Sequence, residues 1–201
     1  MIHYPNGKKT KPSIDRKLSA SNRGMTLEND LNLTNDYYLQ LDIANIHKKP
    51  TPVQIVTVDY PTRSAAKITE AYFKVPSTTD YNGVYRGKAI DFEAKECSSK
   101  TSFPFHSIHE HQIKHLESVL RHGAIAFVIV RFSKYNETYF VEAHKVIEAY
   151  YGVKRSLPYE WFKTEAILIP MGLRPHVDYL KVIDQLYLGG KHETENKKDR
   201  K

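Results

Sequence analysis

Cysteine is nearly absent from this chain. The single Cys97 in 201 residues has no partner for an intramolecular disulfide, and cysteine-clustered zinc motifs are excluded with it. Long apolar runs are also missing. The longest, Ala124 to Val130, falls far short of the ~20 residues that a membrane-spanning helix requires. The opening Met1-Ile2-His3-Tyr4-Pro5 has nothing of the apolar stretch of a secretory signal. Internal repeats and low-complexity tracts are likewise lacking. The expectation is a soluble, cytoplasmic protein with no membrane partner. At this length one domain can bury a core large enough to stand without disulfides or a structural metal.

The formal net charge of +7 gathers at the two ends. Residues 1–17 carry five Lys/Arg against one Asp, residues 191–201 carry five against three acids, and the span 18–190 is left with a net +1. Basic ends suit a polyanionic partner through counterion release, and they equally suit tails that are merely kept solvated. Charge alone decides nothing.

Residues 1–22 lack apolar periodicity and read as a flexible basic arm. Leu27, Leu31, Tyr38 and Leu41 then recur near helical spacing, with Thr26 or Asn22 as cap and an acidic outer face of Glu28, Asp30 and Asp36. Pro50 and Pro52 mark a break, after which β-branched Val53 to Val58 reads as a strand. Residues 61–79 interleave Arg63, Lys67 and Lys74 with Ile68, Tyr72, Phe73 and Val75 in no single period, as a basic-aromatic protrusion would. A helix is expected over Ser107 to Arg121, and Ala124 to Val130, apolar on both faces, reads as a central strand. Tyr139 to Val141 gives another strand, followed by a short helix through Val146, Ile147 and Tyr150 and an extended piece at Ile167 to Ile169. A closing helix is expected over Pro175 to Leu188, and residues 189–201 read as a disordered charged tail. The order α–β–β–β–α–β–β–α predicts an α/β (α+β) domain on a mixed sheet.

Ile90-Asp91-Phe92-Glu93-Ala94-Lys95 alternates strictly, with Ile90, Phe92 and Ala94 on one face and Asp91, Glu93 and Lys95 on the other. A solvated outer surface would account for the polar face. A hairpin turn centred on Arg86-Gly87 makes it less ordinary, because Asp80 then faces Glu93 and Thr78 faces Lys95. Facing side chains lie ~5 Å apart, and two unpaired carboxylates at that distance repel. A divalent cation between them removes the repulsion, and such hard oxygen ligands suit magnesium. An ammonium beside the cation can stabilise the charge that develops as a phosphodiester is hydrolysed. Asn82-Gly83 is the stronger two-residue turn signal, however, and would set Glu93 opposite Tyr72 instead. Propensity leaves both registers open.

Gln112 is the polar member of the stripe Ile108, Gln112, Leu116 and Val119, so it points toward the sheet, either as a satisfied buried amide or as a ligand for a cation or its water. His106, His109, His111, His115 and His122 lie close together, but the Glu of a helical zinc-protease motif is missing after His111. Surface or packing roles are the better reading of those histidines.

An Asp followed, after a spacer, by Glu-x-Lys on a hairpin resembles the restriction-endonuclease-like nuclease superfamily. Longer segments narrow the likeness. Ile46 to Val56, Pro76 to Tyr85, Lys100-Thr101-Ser102-Phe103-Pro104, His109-x-His111-Gln112 and Asn22-Arg23-Gly24-Met25 look like the RecU-type Holliday junction resolvases. The resemblance runs from about Arg23 to Leu186. It implies a restriction-endonuclease-like mixed β-sheet flanked by helices, as a single nuclease domain over residues 23–188, with a protruding stalk at about 61–79. It also implies a homodimer that cuts four-way junction DNA by paired symmetric nicks, with magnesium (or manganese in its place) as cofactor and a recombinase as a plausible partner. Carried over by position, Thr78, Asp80, Glu93 and Gln112 correspond to the metal site and Lys95 to the transition-state-stabilising lysine. Glu28 is a supporting candidate, and Arg63, Lys67, Lys74 and Arg86 are candidates for DNA contact. Asn22 and the stretch Cys97-Ser98-Ser99 depart from the family's pattern, and the likeness loosens after Ser133. Two other readings remain open: a non-catalytic DNA-binding or strand-exchange accessory protein, and a nuclease acting on flaps or ends.

Overall fold

In the computed structural model of the chain, the described residues are 26–74, 78–152 and 155–189. The expected arm at 1–22, residues 23–25 and the tail beyond Gly189 lie outside them. In chain order the elements are α1 (Leu27–Gln40), β1 (Asn45–Lys48), β2 (Val53–Asp59), β3 (Lys67–Phe73), β4 (Tyr81–Tyr85), β5 (Lys88–Cys97) and β6 (Ser102–Pro104). A 3-10 turn at Phe105–Ser107 follows, then α2 (Glu110–Arg121), β7 (Ile125–Phe132), β8 (Glu137–Glu142), α3 (Ala143–Tyr151), β9 (Ser156–Pro158), α4 (Tyr159–Glu165), β10 (Ile167–Ile169) and α5 (Tyr179–Tyr187).

The main sheet has six strands in the order β1-β4-β5-β7-β8-β10. Its β5–β7 pair is parallel and the others are antiparallel. The parallel pair requires a crossover, which α2 supplies. Every residue of β7 is buried, as its two-faced apolar run predicts for the middle of a sheet. On one face Leu31 of α1 and Tyr179 and Ile183 of α5 pack on Ile90, Phe92 and Phe127. On the other, Ile113 and Leu116 of α2, Val146 of α3 and Phe162 of α4 pack on Ala126, Val128 and Val130. None of the described helices is long and apolar enough to cross a membrane.

The β4–β5 register is the detail that matters for the site. Tyr81 pairs with Phe92 and Tyr85 with Lys88, so the turn is centred on Arg86-Gly87. Both turn residues have positive φ, 46° and 71°, the left-handed pair of a two-residue turn matched to strand twist. Rings reinforce the register. Tyr81 stacks on Phe92 at 4.7 Å, Phe92 on Phe127 at 4.7 Å and Phe127 on Phe140 at 4.3 Å, an aromatic ladder across four strands. Gly83, the residue behind the competing turn signal, lies inside β4 opposite Ile46. A methyl group there would sit 2.1 Å from the Asn45 carbonyl oxygen. Its glycine admits the neighbouring strand rather than a turn.

The protrusion differs from expectation. Val53–Asp59 pairs with Lys67–Phe73 as a separate two-stranded ribbon, exposed along both strands, so it spans 53–73 rather than beginning near 61. Its irregular pattern reflects the lack of a buried face, together with register shifts around Thr57. Two helices also start later than their apolar spacing suggests. α2 begins at Glu110 because residues 105–107 form a 3-10 turn and Ile108 is extended. α5 begins at Tyr179 because Met171 and Val177 bridge across the preceding turn.

Gly83→Ala is expected to lower unfolding stability by about 3 kcal/mol, since β1 must move away from β4. Gly87→Ala, strained in backbone but open in space, should lower it by about 1 kcal/mol. Urea denaturation of both variants checks the order; equal losses would contradict this account of Gly83.

Candidate active site

Asp91, Glu93 and Lys95 leave β5 on the face covered by α2. Glu93 is fully buried, at 0% exposure. Lys95 Nζ lies 2.6 Å from Glu93 Oε1 as an ion pair, and apart from that ammonium no donor among the described residues is hydrogen-bonded to either Glu93 oxygen. Burial pushes the Glu93 carboxyl up to about 8, and the Asp80 carboxylate beside it adds to the rise, with Lys95 opposing. Asp80 is half-buried and precedes the first paired residue of β4, continuing the register to face Glu93. Its Oδ2 accepts from the Ala94 N–H at 3.4 Å. A buried carboxylate held by one ammonium and next to a second carboxylate is costly to ionise and fits a hard divalent cation. Among the described residues no three His, Cys, Asp or Glu side chains gather at one point. The protein therefore offers a carboxylate pair, and neutral oxygens must complete any coordination.

The other sequence candidates fall at varying distances from this pair. The ladder stops at Tyr81–Phe92, so Thr78 makes no strand pair with Lys95, and its hydroxyl donates to the Thr79 carbonyl at 3.4 Å. Gln112 is buried in the first turn of α2, where its Oε1 accepts the His109 N–H at 2.9 Å. That bond closes the helix N-terminus, so the Gln112 carbonyl can meet a cation only by releasing it. Glu28 pairs with Lys48 and, with Thr26, Tyr81, Ala94 and Glu96, lines a cleft of about 260 Å³ on the α1 side of β5, which Asp80 borders and Glu93 does not. Arg63, Lys67 and Lys74 are exposed, Lys67 and Arg63 towards the far end of the ribbon and Lys74 at its base. Arg86 lies at the hairpin tip, roughly 20 Å along the strand from Asp80. There its guanidinium meets Asp184 at 3.2 Å and covers the Tyr85 ring.

Four further residues adjoin the pair. Lys49 Nζ donates to both Thr79 Oγ1 and Asp91 Oδ2 at 2.9 Å, the Thr79 hydroxyl donates to Asp91 Oδ1, and His115 Nε2 lies 3.2 Å from Asp91 Oδ2. Asp91 carried a signal, its place on the polar face of the alternating strand. Lys49, Thr79 and His115 carried none, since their convergence depends on three separate segments folding together. The remaining histidines take local roles: His109 stacks on His111, and His122 Nδ1 lies 2.7 Å from the Ser118 carbonyl.

A family profile described as Recombination protein U (RecU) matches residues 22–185. A Holliday junction resolvase RecU of Geobacillus kaustophilus is 54% identical over 197 residues, covering 92% of this chain and 98% of the relative. The corresponding proteins of Bacillus licheniformis and Oceanobacillus iheyensis are 54% and 51% identical, covering 93% and 92% of this chain and 98% and 100% of theirs.

The raised Glu93 carboxyl has a consequence for stability. Unfolded Glu93 ionises near 4.5 and folded Glu93 near 8, so the folded state holds the extra proton between those values and stability falls as pH rises across that window. Metal-free protein should lose stability on the order of a few kcal/mol from pH 5 to pH 8 through this group. Glu93→Gln should flatten the slope and be more stable than wild type at pH 8. Chemical denaturation in EDTA at several pH values checks both.

Proposed function

This chain belongs to the Recombination protein U family, and from that premise we propose that it is a Holliday junction resolvase. On this reading it is a magnesium-dependent endodeoxyribonuclease that cuts four-way junctions by paired symmetric nicks, in the cytoplasm, during recombination and repair. The observation that carries the reading is Glu93, a fully buried carboxylate beside Asp80 whose ionic partner is the Lys95 ammonium at 2.6 Å.

Asp80 and Glu93 would hold the cation, with Thr78 and Gln112 as lesser contributors. When bound, magnesium supplies Lewis-acid polarisation of the scissile phosphate. Lys95 keeps a positive charge beside the carboxylates, where the attacked phosphate gains negative charge in the transition state. Its position is fixed before reaction, so little reorganisation opposes it. Glu93 lies on the central part of a sheet buried on both faces, which holds that member of the pair rigidly. Glu28 and Lys48 share with Asp80 the cleft on the α1 side of β5, so they border that member of the pair. The ribbon, with Arg63, Lys67 and Lys74, extends a basic and aromatic surface away from the body, suited to the phosphates and exposed bases at a junction. A two-fold dimer would present two such sites to opposed strands, which accounts for paired cuts.

Asp80→Asn and Glu93→Gln are expected to bind four-way junctions within about threefold of wild type while losing nicking by ~10³-fold or more, and Lys95→Met by ~10²- to 10³-fold. Charge reversal at Lys67 and Lys74 should instead weaken junction binding and reduce its salt dependence. Gel assays on a four-way junction, a flap and linear duplex, with magnesium and with EDTA, check all three points. Nicking that persists in EDTA, or equal cutting of linear duplex, would overturn the reading.

A further inference from the structure

Asp80 sits just outside the strand that should hold it. β4 begins at Tyr81, and Thr78, Thr79 and Asp80 lie in the connection from the ribbon to the sheet. The ladder therefore does not fix Asp80, although its carboxylate must stay beside a rigid Glu93. The restraint comes from Lys49, the residue after β1. Its backbone N–H donates to the Asp80 carbonyl at 2.7 Å, adding one bond beyond the Lys48–Tyr81 pair. Its side chain then turns inward, and the ammonium donates to Thr79 Oγ1 and Asp91 Oδ2, each at 2.9 Å. The Thr79 hydroxyl donates onward to the other Asp91 oxygen, and His115 of α2 contacts Asp91 at 3.2 Å. Thr79 and Asp91 are almost wholly buried. Three separate parts of the chain thus converge on one carboxylate anchored two residues before Glu93 on the same strand face.

We propose that Lys49, Thr79 and Asp91 form a positioning clamp that binds the Thr79–Asp80 link to β5 and so sets the Asp80 carboxylate against Glu93 for a divalent cation. The clamp rests on the resolvase reading of Asp80 and Glu93 and names residues that act on that site without touching substrate. Its charges suit the task. The Lys49 ammonium is paired with Asp91, so Asp91 is not left to compete with Asp80 and Glu93 for the cation. Thr79 is the link that transmits position, because its hydroxyl joins Lys49 to Asp91 while its backbone joins directly to Asp80. A buried ion pair with no such role would change stability alone; this one should change cation affinity, since groups that orient ligands typically govern affinity by 10- to 100-fold.

The test uses the full chain and manganese alone, with binding read by electron paramagnetic resonance of free Mn2+ in the absence of DNA. Thr79→Val and Lys49→Met should weaken Mn2+ binding by about 10-fold or more, whereas Thr79→Ser, which keeps the hydroxyl, should bind like wild type. Junction affinity in EDTA should stay within about twofold for all three. Nicking by Thr79→Val should recover most of its wild-type rate at saturating magnesium, the mark of a lost position rather than lost chemistry. If Lys49→Met does not fold, the Thr79→Val and Thr79→Ser pair decides the matter. Wild-type Mn2+ affinity in Thr79→Val, or equal loss in Thr79→Ser, overturns the clamp. Asp80→Asn separates the two levels. Should it bind Mn2+ as wild type does, the metal-site reading itself falls. Should it lose binding while Thr79→Val keeps it, only the clamp falls.

Discussion

The pairing of Tyr81 with Phe92 is the constraint on which the rest of the molecule depends. Side chains alternate along a strand, so a slip of one residue would turn Glu93 and Lys95 into the α1 face and carry Phe92 out of its core. The stacked rings of Tyr81, Phe92, Phe127 and Phe140 oppose such a slip across four strands at once. With that register held, the chain before Tyr81 runs on toward Glu93, and the contacts of Lys49 and Thr79 hold Asp80 there. Gly83 secures the same arrangement from the other side, since only a residue without Cβ lets β1 approach β4 there.

The interior around Glu93 is unfavourable to its ionised form. Burial under sheet and helix raises the proton affinity of this carboxylate, a second carboxylate nearby raises it further, and Lys95 opposes both. Asp91, two residues earlier on the same face, lies in the opposite situation: its oxygens receive Thr79, Lys49 and His115. The same strand face thus presents one carboxylate bound by three partners and one, Glu93, whose ionic partner is Lys95. The proposed metal site and the proposed clamp follow from this contrast rather than from the number of acidic residues.

Much of the fold was legible from periodicity. The alternation of Ile90 to Lys95, the two-faced apolar run of Ala124 to Val130, and the Thr26 cap, whose hydroxyl accepts the Asn29 N–H at 3.3 Å, all appear where expected. Short pieces did not announce themselves: β1, β6 and β9 have three or four residues, too few to show a period. The ribbon was legible in kind but not in extent, because strands exposed on both sides bury no stripe for a pattern to follow. Gln112 was legible only as a polar residue facing inward; the structure directs its carbonyl to the α2 N-terminus.

By itself the sequence determined that a polar strand face carries Asp91, Glu93 and Lys95, that the segments build a mixed sheet flanked by helices, and which two turns could set Asp80's partner. Those properties follow from local spacing, which each segment carries alone. Only the tertiary structure decided between the two turns, buried Glu93 beside Asp80, and brought Lys49 and His115 to Asp91 from positions 42 and 24 residues away. Burial and convergence are properties of the packed whole. A strand pattern states which side chains share a face, but what covers that face depends on chain segments whose sequence distance says nothing about their distance in space.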